Sequence, residues 1–315
     1  MGFGEVARMF DEIVHADWSM APQGRWWAQA VRVDGRWQVD APQPVPTPGA
    51  LLARALQSAA KGRRVLLGFD FPIGLPVAYA RQTKLPDFLS ALQVFGEGEW
   101  SRFFTIVNSP AGISVHQPFY PRTPTKGVTQ QSLVTGLKVA AFADLLRECE
   151  KVQGQRPACS LFWTLGGNQV GRAALHGWQN IVLPGLLDPH VRLWPFHGPL
   201  ADCAAQPGVV IAETYPAAAG RFLGVSFPPG SKLVQADRQA KGSAIHKWVA
   251  QRMVDLSPQA LLAVQNGFGT GKCGDKFDAF IGLLGMIEVA DGHRCEGPVT
   301  RQDVKQWEGW ILGQA

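Results

Sequence analysis

Short apolar runs that end in an acidic residue recur along this chain, and a turn follows close behind each of them. The three runs are 13–16 before Asp17, 65–69 before Asp70 and 209–212 before Glu213. Apolar runs of about four to eight residues bounded by turn residues are typical of strands buried on both faces of a sheet. Each run therefore predicts a buried strand with a carboxylate at its C-terminal end.

A hairpin and a helix separate the first two of these strands. Segments rich in Trp and Val at 26–33 and 37–39 flank Asp34-Gly35, and Asp-Gly between such segments is typical of a two-residue hairpin turn. Apolar residues at helical spacing then predict a helix over 51–59. The predicted order up to Asp70 is therefore strand, two-stranded hairpin, helix, strand.

The pattern loosens over residues 85–205, where aromatic residues are mixed into proline-rich loops. A helix over 137–149 and a strand over 161–165 are predicted there. We interpret this segment as a large, mostly helical, cap-like insertion between the fourth and fifth strands of a single domain that spans 1–315. The last predicted helix, over 277–289, is apolar nearly all round, which predicts that it is buried.

This order of elements is that of an α/β ribonuclease-H-like fold, a mixed five-stranded sheet flanked by helices. In that topology the first, fourth and fifth strands are parallel neighbours about 4.8 Å apart. The carboxyl ends of such strands are the usual place for a ligand site. We therefore expect Asp17, Asp70 and Glu213 to gather at one end of the sheet, with Asp278 and Asp275 of the last helix beside them.

Carboxylates gathered in this way repel one another unless a cation compensates. Mg²⁺ or Mn²⁺ is the cofactor predicted, because both bind a few carboxylates and several waters, and paired ions of this kind catalyse phosphodiester hydrolysis. The residues predicted to be catalytic are Asp17, Asp70, Glu213 and Asp278, and the predicted metal ligands are these four and Asp275.

Each acid also has a purely structural interpretation. Asp17 can shape the turn that follows it, Asp70 can accept backbone N–H groups in its loop, and Glu213 can pair with a nearby arginine. Asp275 fits a helix N-cap, and Asp278 suits the dipole at the start of a helix. Because one shared site explains all five at once, we favour it over five separate explanations.

The composition agrees with a globular protein, since 46% of residues are apolar and 17% are charged. A formal net charge of +5 favours anionic partners, nucleic acid among them. No apolar stretch is long enough to span a bilayer, and the first residues lack the regions of a signal peptide. These features predict a cytoplasmic protein without a membrane partner.

Three further residues are candidates for contacting a substrate. Lys232 and Arg238 flank a segment that follows Glu213, where they could contact phosphate, although a solvated basic surface is the commoner explanation for both. Asn168 lies in the glycine-rich segment 166–171, which could present helix N–H groups to a phosphate. The segment 267–273 is similar to a phosphate-binding P-loop but lacks its first Gly and its final Ser or Thr.

Three motifs resemble those of the domain of unknown function 429 family, predicted nucleases with a ribonuclease-H-like fold. They are the strand and turn 68–76, the Glu-x-x-Pro element at 213–216 and the acidic pair Asp275 and Asp278 before the last helix. The resemblance implies metal-dependent hydrolysis of nucleic acid. The first strand departs from the family pattern, because Asp17 lacks the glycine often found beside that acid.

Three functions stay open on the sequence. The leading hypothesis is a metal-dependent phosphodiesterase or nuclease that uses the clustered carboxylates. The second is a phosphotransferase or ATPase of a related fold, in which the same acids hold Mg²⁺–ATP. The third is a nucleic-acid-binding module that keeps the fold without the chemistry, since a fold alone does not establish a function.

Overall fold

A computed structural model describes residues 9–121, 129–151, 159–165, 169–228, 230–271, 273–298 and 301–315. The strands of these residues are β1 (Glu12–Asp17), β2 (Trp26–Val33), β3 (Arg36–Val39), β4 (Gln43–Pro44), β5 (Arg64–Phe69), β6 (Val191–Leu193), β7 (Gly208–Glu213) and β8 (Val254–Leu256).

Alpha-helices occupy much of the rest of the described chain. They are α1 (Pro48–Ala59), α2 (Val77–Thr83), α3 (Phe88–Val94), α4 (Gln130–Gly136), α5 (Val170–Gly177), α6 (Leu183–Leu186), α7 (Leu200–Cys203), α8 (Pro216–Leu223), α9 (Gln235–Ala240), α10 (Gly242–Ala250), α11 (Pro258–Gln265), α12 (Gly274–Ala290) and α13 (Gln302–Trp307). None of the helices within the described ranges has the length and apolar character that crossing a membrane requires.

The strands form one mixed sheet in the order β6-β7-β5-β1-β2-β3-β8, with β4 beside β2. Strands β7, β5 and β1 are parallel neighbours, which confirms the arrangement predicted for the three strands that end in acids. The predicted number of five strands is wrong, because the sheet has eight among the described residues. The additional strands β4, β6 and β8 have two or three residues each, too few to show an alternating pattern.

The predicted hairpin between β2 and β3 is confirmed. Both turn residues have left-handed backbone angles, with φ of 48° at Asp34 and 83° at Gly35. Two-residue turns with positive φ at both positions match the twist of the strands that they join. The Asp-Gly pair therefore sets the register in which β3 returns alongside β2.

The chain divides into two compact units. The first comprises Met1–Asp70, Pro184–Pro298 and Ile311–Ala315, and it contains the whole sheet. The second comprises Phe71–Leu183 and Val299–Trp310. The interpretation of 85–205 as an insertion within one domain stays a prediction.

The second unit is mainly helical in its described part, and two predicted elements within it are wrong. The backbone over 137–149 forms short 3-10 turns, because α4 already ends at Gly136 and Lys138 has a left-handed φ of 57°. Residues 161–165 form a turn, with the amide of Trp163 bonded to the carbonyl of Ser160. Aromatic packing fills this unit, including the stacked rings of Phe95 and Phe103, whose centroids are 3.6 Å apart.

Helix α12 packs against one face of the sheet in the first unit, on β1 and β2, and α1 packs against β5 and β7. Fourteen of the 17 residues of α12 are buried, as its apolar sequence predicts. It begins at Gly274, three residues before the predicted start, so Asp275 and Asp278 both lie in its first turns. The N-cap position belongs to Cys273, and Asp275 is therefore not the cap.

A buried histidine fixes the position of α12 on the sheet. The His15 ring hydrogen-bonds the Ala279 carbonyl through Nδ1 at 2.9 Å and the Thr214 hydroxyl through Nε2 at 2.8 Å. A carbonyl only accepts, so Nδ1 carries the proton and Nε2 accepts from the hydroxyl. The ring lies directly against Gly282, where a Cβ atom would overlap it. This contact requires glycine in the middle of a helix, where glycine is otherwise unfavourable.

We predict that Gly282→Ala destabilises the protein although alanine is the better helix former. The added methyl must displace the His15 ring or α12, and such overpacking costs about 1–3 kcal/mol. The free energy of unfolding, measured with urea, checks this. Gly49→Ala is the matched control, since an added Cβ at Gly49 in α1 meets nothing within 4 Å. Equal stability of the two variants would contradict the close contact.

Candidate functional site

Asp17 and Asp70 meet at the C-terminal end of the two central parallel strands. Ala16 of β1 pairs with Phe69 of β5. The residues that follow them, Asp17 and Asp70, are therefore neighbours on the same face of the sheet. Their carboxyl groups share a hydrogen bond. Asp70 also accepts the backbone N–H of Trp18 at 2.6 Å.

Helix α12 adds two further carboxylates to this pair. The negative charges of Asp70, Asp278 and Asp275 all act on Asp17. Asp278 has a side chain that is 17% exposed, and Asp275 is partly buried. Gly24 approaches Asp275 closely, because a Cβ atom on it would lie 3.5 Å from Oδ2 of Asp275. The sequence prediction that Asp17, Asp70, Asp275 and Asp278 lie together therefore agrees with the structure.

Burial raises the pKa values of all four acids, and repulsion by neighbouring carboxylates adds to this for Asp17, Asp70 and Asp278. Desolvation is the largest cause for each, and the charge of Asp278 adds to it for Asp17 and Asp70. The pKa of Asp70 rises to about 6, and the pKa of Asp17 rises well above its usual range. A hydrogen bond between two carboxyl groups needs one proton, so the bond between Asp17 and Asp70 forms when the pair holds one proton.

Lys232 supplies positive charge to this group of acids. Its ammonium forms an ion pair with Asp278 Oδ2, and its charge also acts on Asp70 and Asp275. Burial lowers the pKa of Lys232, but the carboxylates of Asp278, Asp17 and Asp275 outweigh that effect and raise it overall. Lys232 was predicted to contact substrate phosphate, and in this structure its side chain pairs with the acids instead.

Glu213 lies on the other face of the sheet. It pairs with Phe69 in the parallel register of β5 and β7, and paired residues of neighbouring strands leave the sheet on the same side. Asp70, one residue after Phe69, therefore points away from the side of Glu213. The structure does not bring Glu213 onto the face of the aspartates, and Thr214 is the residue of this segment that lies there.

The predicted phosphate contact of Arg238 needs correction. Arg238 is fully buried, and its guanidinium donates to the carbonyls of Gly267 at 2.8 Å, Lys232 at 2.8 Å, Gly269 at 2.9 Å and Gly271 at 3.2 Å. A planar guanidinium with several donors suits such multiple acceptors. Arg238 therefore joins the turn at Lys232 to the glycine-rich loop 267–271 before α12. Asn168, the third predicted substrate contact, lies outside the described residues.

Sequence reasoning missed how the loop after Asp17 is held. Arg25 donates to the carbonyls of Ser19 at 2.5 Å and Met20 at 2.6 Å. Its guanidinium also lies 5.2 Å from the centroid of the Trp18 ring, a favourable cation–π distance. The sequence signal was weak, since a single arginine before a Trp-rich strand does not indicate which backbone groups it will bind.

The donor chemistry of the site fits a hard divalent cation, although the observed arrangement does not form a finished metal site. Within the described ranges, no group of three or more His, Cys, Asp or Glu side chains is arranged to hold a metal ion. Carboxylate oxygens are nevertheless the ligands that Mg²⁺ and Mn²⁺ prefer. A shared proton and the Lys232 ammonium supply positive charge at the place where these acids meet.

Comparisons with protein-family models, with curated proteins and with solved structures find no match to this chain.

We predict that Asp70→Asn stabilises the metal-free protein. The asparagine oxygen still accepts from the Trp18 N–H and from the protonated Asp17 carboxyl, while the repulsion between position 70 and Asp278 is relieved. Because the folded-state pKa of Asp70 is about 6, above its ordinary value of 3.8, the carboxyl contributes most to stability at low pH and loses that contribution as pH rises through about 6. The gain should be about 1–3 kcal/mol at neutral pH and should shrink toward pH 4.

Thermal and urea unfolding in EDTA at several pH values provide the measurement. The matched control is Asp255→Asn, since Asp255 is 42% exposed and its ion pair with Arg36 lowers its pKa. That variant should gain nothing. A loss of stability in Asp70→Asn at neutral pH would contradict the repulsion inferred for the site.

Proposed function

We propose that the protein is a cytoplasmic metal-dependent hydrolase that cleaves phosphodiesters of nucleic acid. The observation that carries the proposal is the meeting of Asp17, Asp70 and Asp278, from β1, the end of β5 and α12, on one face of the sheet. These acids are far apart in the sequence and unfavourable to one another. Groups with strongly perturbed pKa values often mark functional sites, because a stable fold has no need of such repulsion.

The sheet order supports a ribonuclease-H-like fold as part of this proposal. Its central strands β3-β2-β1-β5-β7 have β1, β5 and β7 parallel and β2 antiparallel to β1. This is the arrangement expected of the five-stranded core of that fold, which β6 and β8 extend at the two edges. The motif resemblance to the domain of unknown function 429 family points the same way.

Asp17, Asp70 and Asp278 would hold Mg²⁺ or Mn²⁺, with Asp275 at the margin of the site. When bound, the ion would supply an activated water and stabilise the leaving oxygen of a phosphodiester. The protein residues keep the acids together: His15 holds α12 against β1, and Trp18 orients Asp70. The net charge of +5 favours a polyanionic substrate.

We expect the purified protein to cleave oligonucleotides in Mn²⁺. Each of the variants Asp17→Asn and Asp278→Asn should reduce the cleavage rate about 100-fold or more, because each removes a charge that the reaction requires. Single-stranded, duplex and branched substrates would be compared by gel assay. Asp255→Asn serves as the control, since it removes an exposed carboxylate outside the cluster.

Three outcomes would contradict the proposal in different ways. Cleavage that persists in both cluster variants would indicate a contaminating nuclease. Salt-sensitive binding without cleavage would support a non-catalytic nucleic-acid-binding module. Stabilisation by Mg²⁺–ATP but not by Mn²⁺ alone would support a phosphotransferase or ATPase.

A further inference from the structure

The ammonium of Lys232 occupies a place among the acids of the site. It pairs with Asp278, and the carboxylates of Asp17 and Asp275 act on it as well. Its side chain is 37% exposed, although its partner Asp278 is only 17% exposed. Because the lysine side chain is long and partly exposed, its ammonium can move away from Asp278 by rotation about the side-chain bonds.

Hydrogen bonds hold the backbone turn that carries Lys232 in place. The 3-10 turn Ser231–Leu233 follows Gly230, which has a left-handed φ of 81°. Arg238 donates to the Lys232 carbonyl, and the Ser231 hydroxyl donates to Asp237 at 2.5 Å. The turn therefore keeps Lys232 beside the site whether or not its ammonium pairs with Asp278.

The first residue of α12 leaves space for the lysine stem. A Cβ atom on Gly274 would lie 3.2 Å from Cε and 3.8 Å from Cγ of Lys232. The aliphatic part of the Lys232 side chain therefore passes over Gly274, which has no side chain, before the ammonium reaches Asp278. Gly274 is one residue before Asp275, so the start of α12 both accommodates the lysine and carries the acids that attract it.

We propose that Lys232 is a resident counter-ion of the acidic site, which a divalent cation displaces and which then binds a phosphate of the substrate. This inference rests on the proposed function. Two cations repel strongly at the distance of one carboxylate, so the ammonium and a metal ion compete for Asp278. Once displaced, the ammonium stays next to the site on its fixed turn and meets an anionic substrate there.

The first test measures Mn²⁺ affinity in the absence of substrate, by calorimetry and by electron paramagnetic resonance of free Mn²⁺. Lys232→Met should bind Mn²⁺ about tenfold more tightly than the natural protein, because a competing charge is gone. Lys232→Arg keeps the charge and should bind with affinity no higher than the natural protein. Lys276→Met is the control, because Lys276 is another lysine near the start of α12 and its ammonium lies 4.3 Å from the Trp26 ring.

The second test measures how salt weakens binding of a phosphorothioate oligothymidylate. In Mn²⁺, Lys232→Met should lower the slope of log affinity against log salt by about 0.7, the value for one phosphate contact on a single strand. In EDTA the slope should not change, because the ammonium is then paired with Asp278. Circular dichroism and thermal unfolding confirm that each variant is folded.

The possible results separate the inference from the function on which it rests. If the natural protein binds Mn²⁺ and Lys232→Met binds it no more tightly, the role of Lys232 as a counter-ion is wrong. The same conclusion follows if Lys276→Met gains as much Mn²⁺ affinity as Lys232→Met. If Lys232→Met lowers the slope of log affinity against log salt equally in Mn²⁺ and in EDTA, the ammonium is not displaced by the metal ion. Absence of Mn²⁺ binding in every variant overturns the metal site and the inference together.

Discussion

The acidic site depends on one buried imidazole. His15 hydrogen-bonds Ala279 of α12 and Thr214 at the end of β7, and its own strand β1 ends at Asp17. Ala279 directly follows Asp278, and Asp17 lies two residues after His15 on the same face. Burial lowers the pKa of His15 to about 4, so the ring stays neutral and keeps one donor and one acceptor. The same ring therefore fixes the distance between the two elements that carry the acids.

The clustered carboxylates repel one another, and the packing of the surrounding elements holds them together despite this repulsion. Helix α12 is buried along nearly its whole length and cannot turn Asp278 away without exposing apolar residues. Strands β1 and β5 are locked in register by the sheet, so Asp17 and Asp70 cannot separate either. The repulsion is relieved by a shared proton and a lysine. Stability given up in this way is common where a site serves a function.

Much of the fold was predictable because its signals are local. The Asp34-Gly35 turn, the helix before β5 and the three apolar runs each show their structure within about ten residues. The face of Glu213 was not predictable, because strands buried on both sides show no alternation, and a shift of one residue reverses every side chain. The roles of Lys232 and Arg238 were not predictable either, because they depend on contacts with α12 and with the loop 267–271, which lie 46 and 29 residues away.

The sheet ends at each side in a strand of only three residues, β6 at one edge and β8 at the other. The middle residue of each is charged, Arg192 in β6 and Asp255 in β8. Edge strands that are long and apolar recruit strands of other molecules, and short charged ones resist this. A sheet whose central strands are among the most apolar segments of the chain is thus bounded by edges that offer little backbone for a strand of another molecule to pair with.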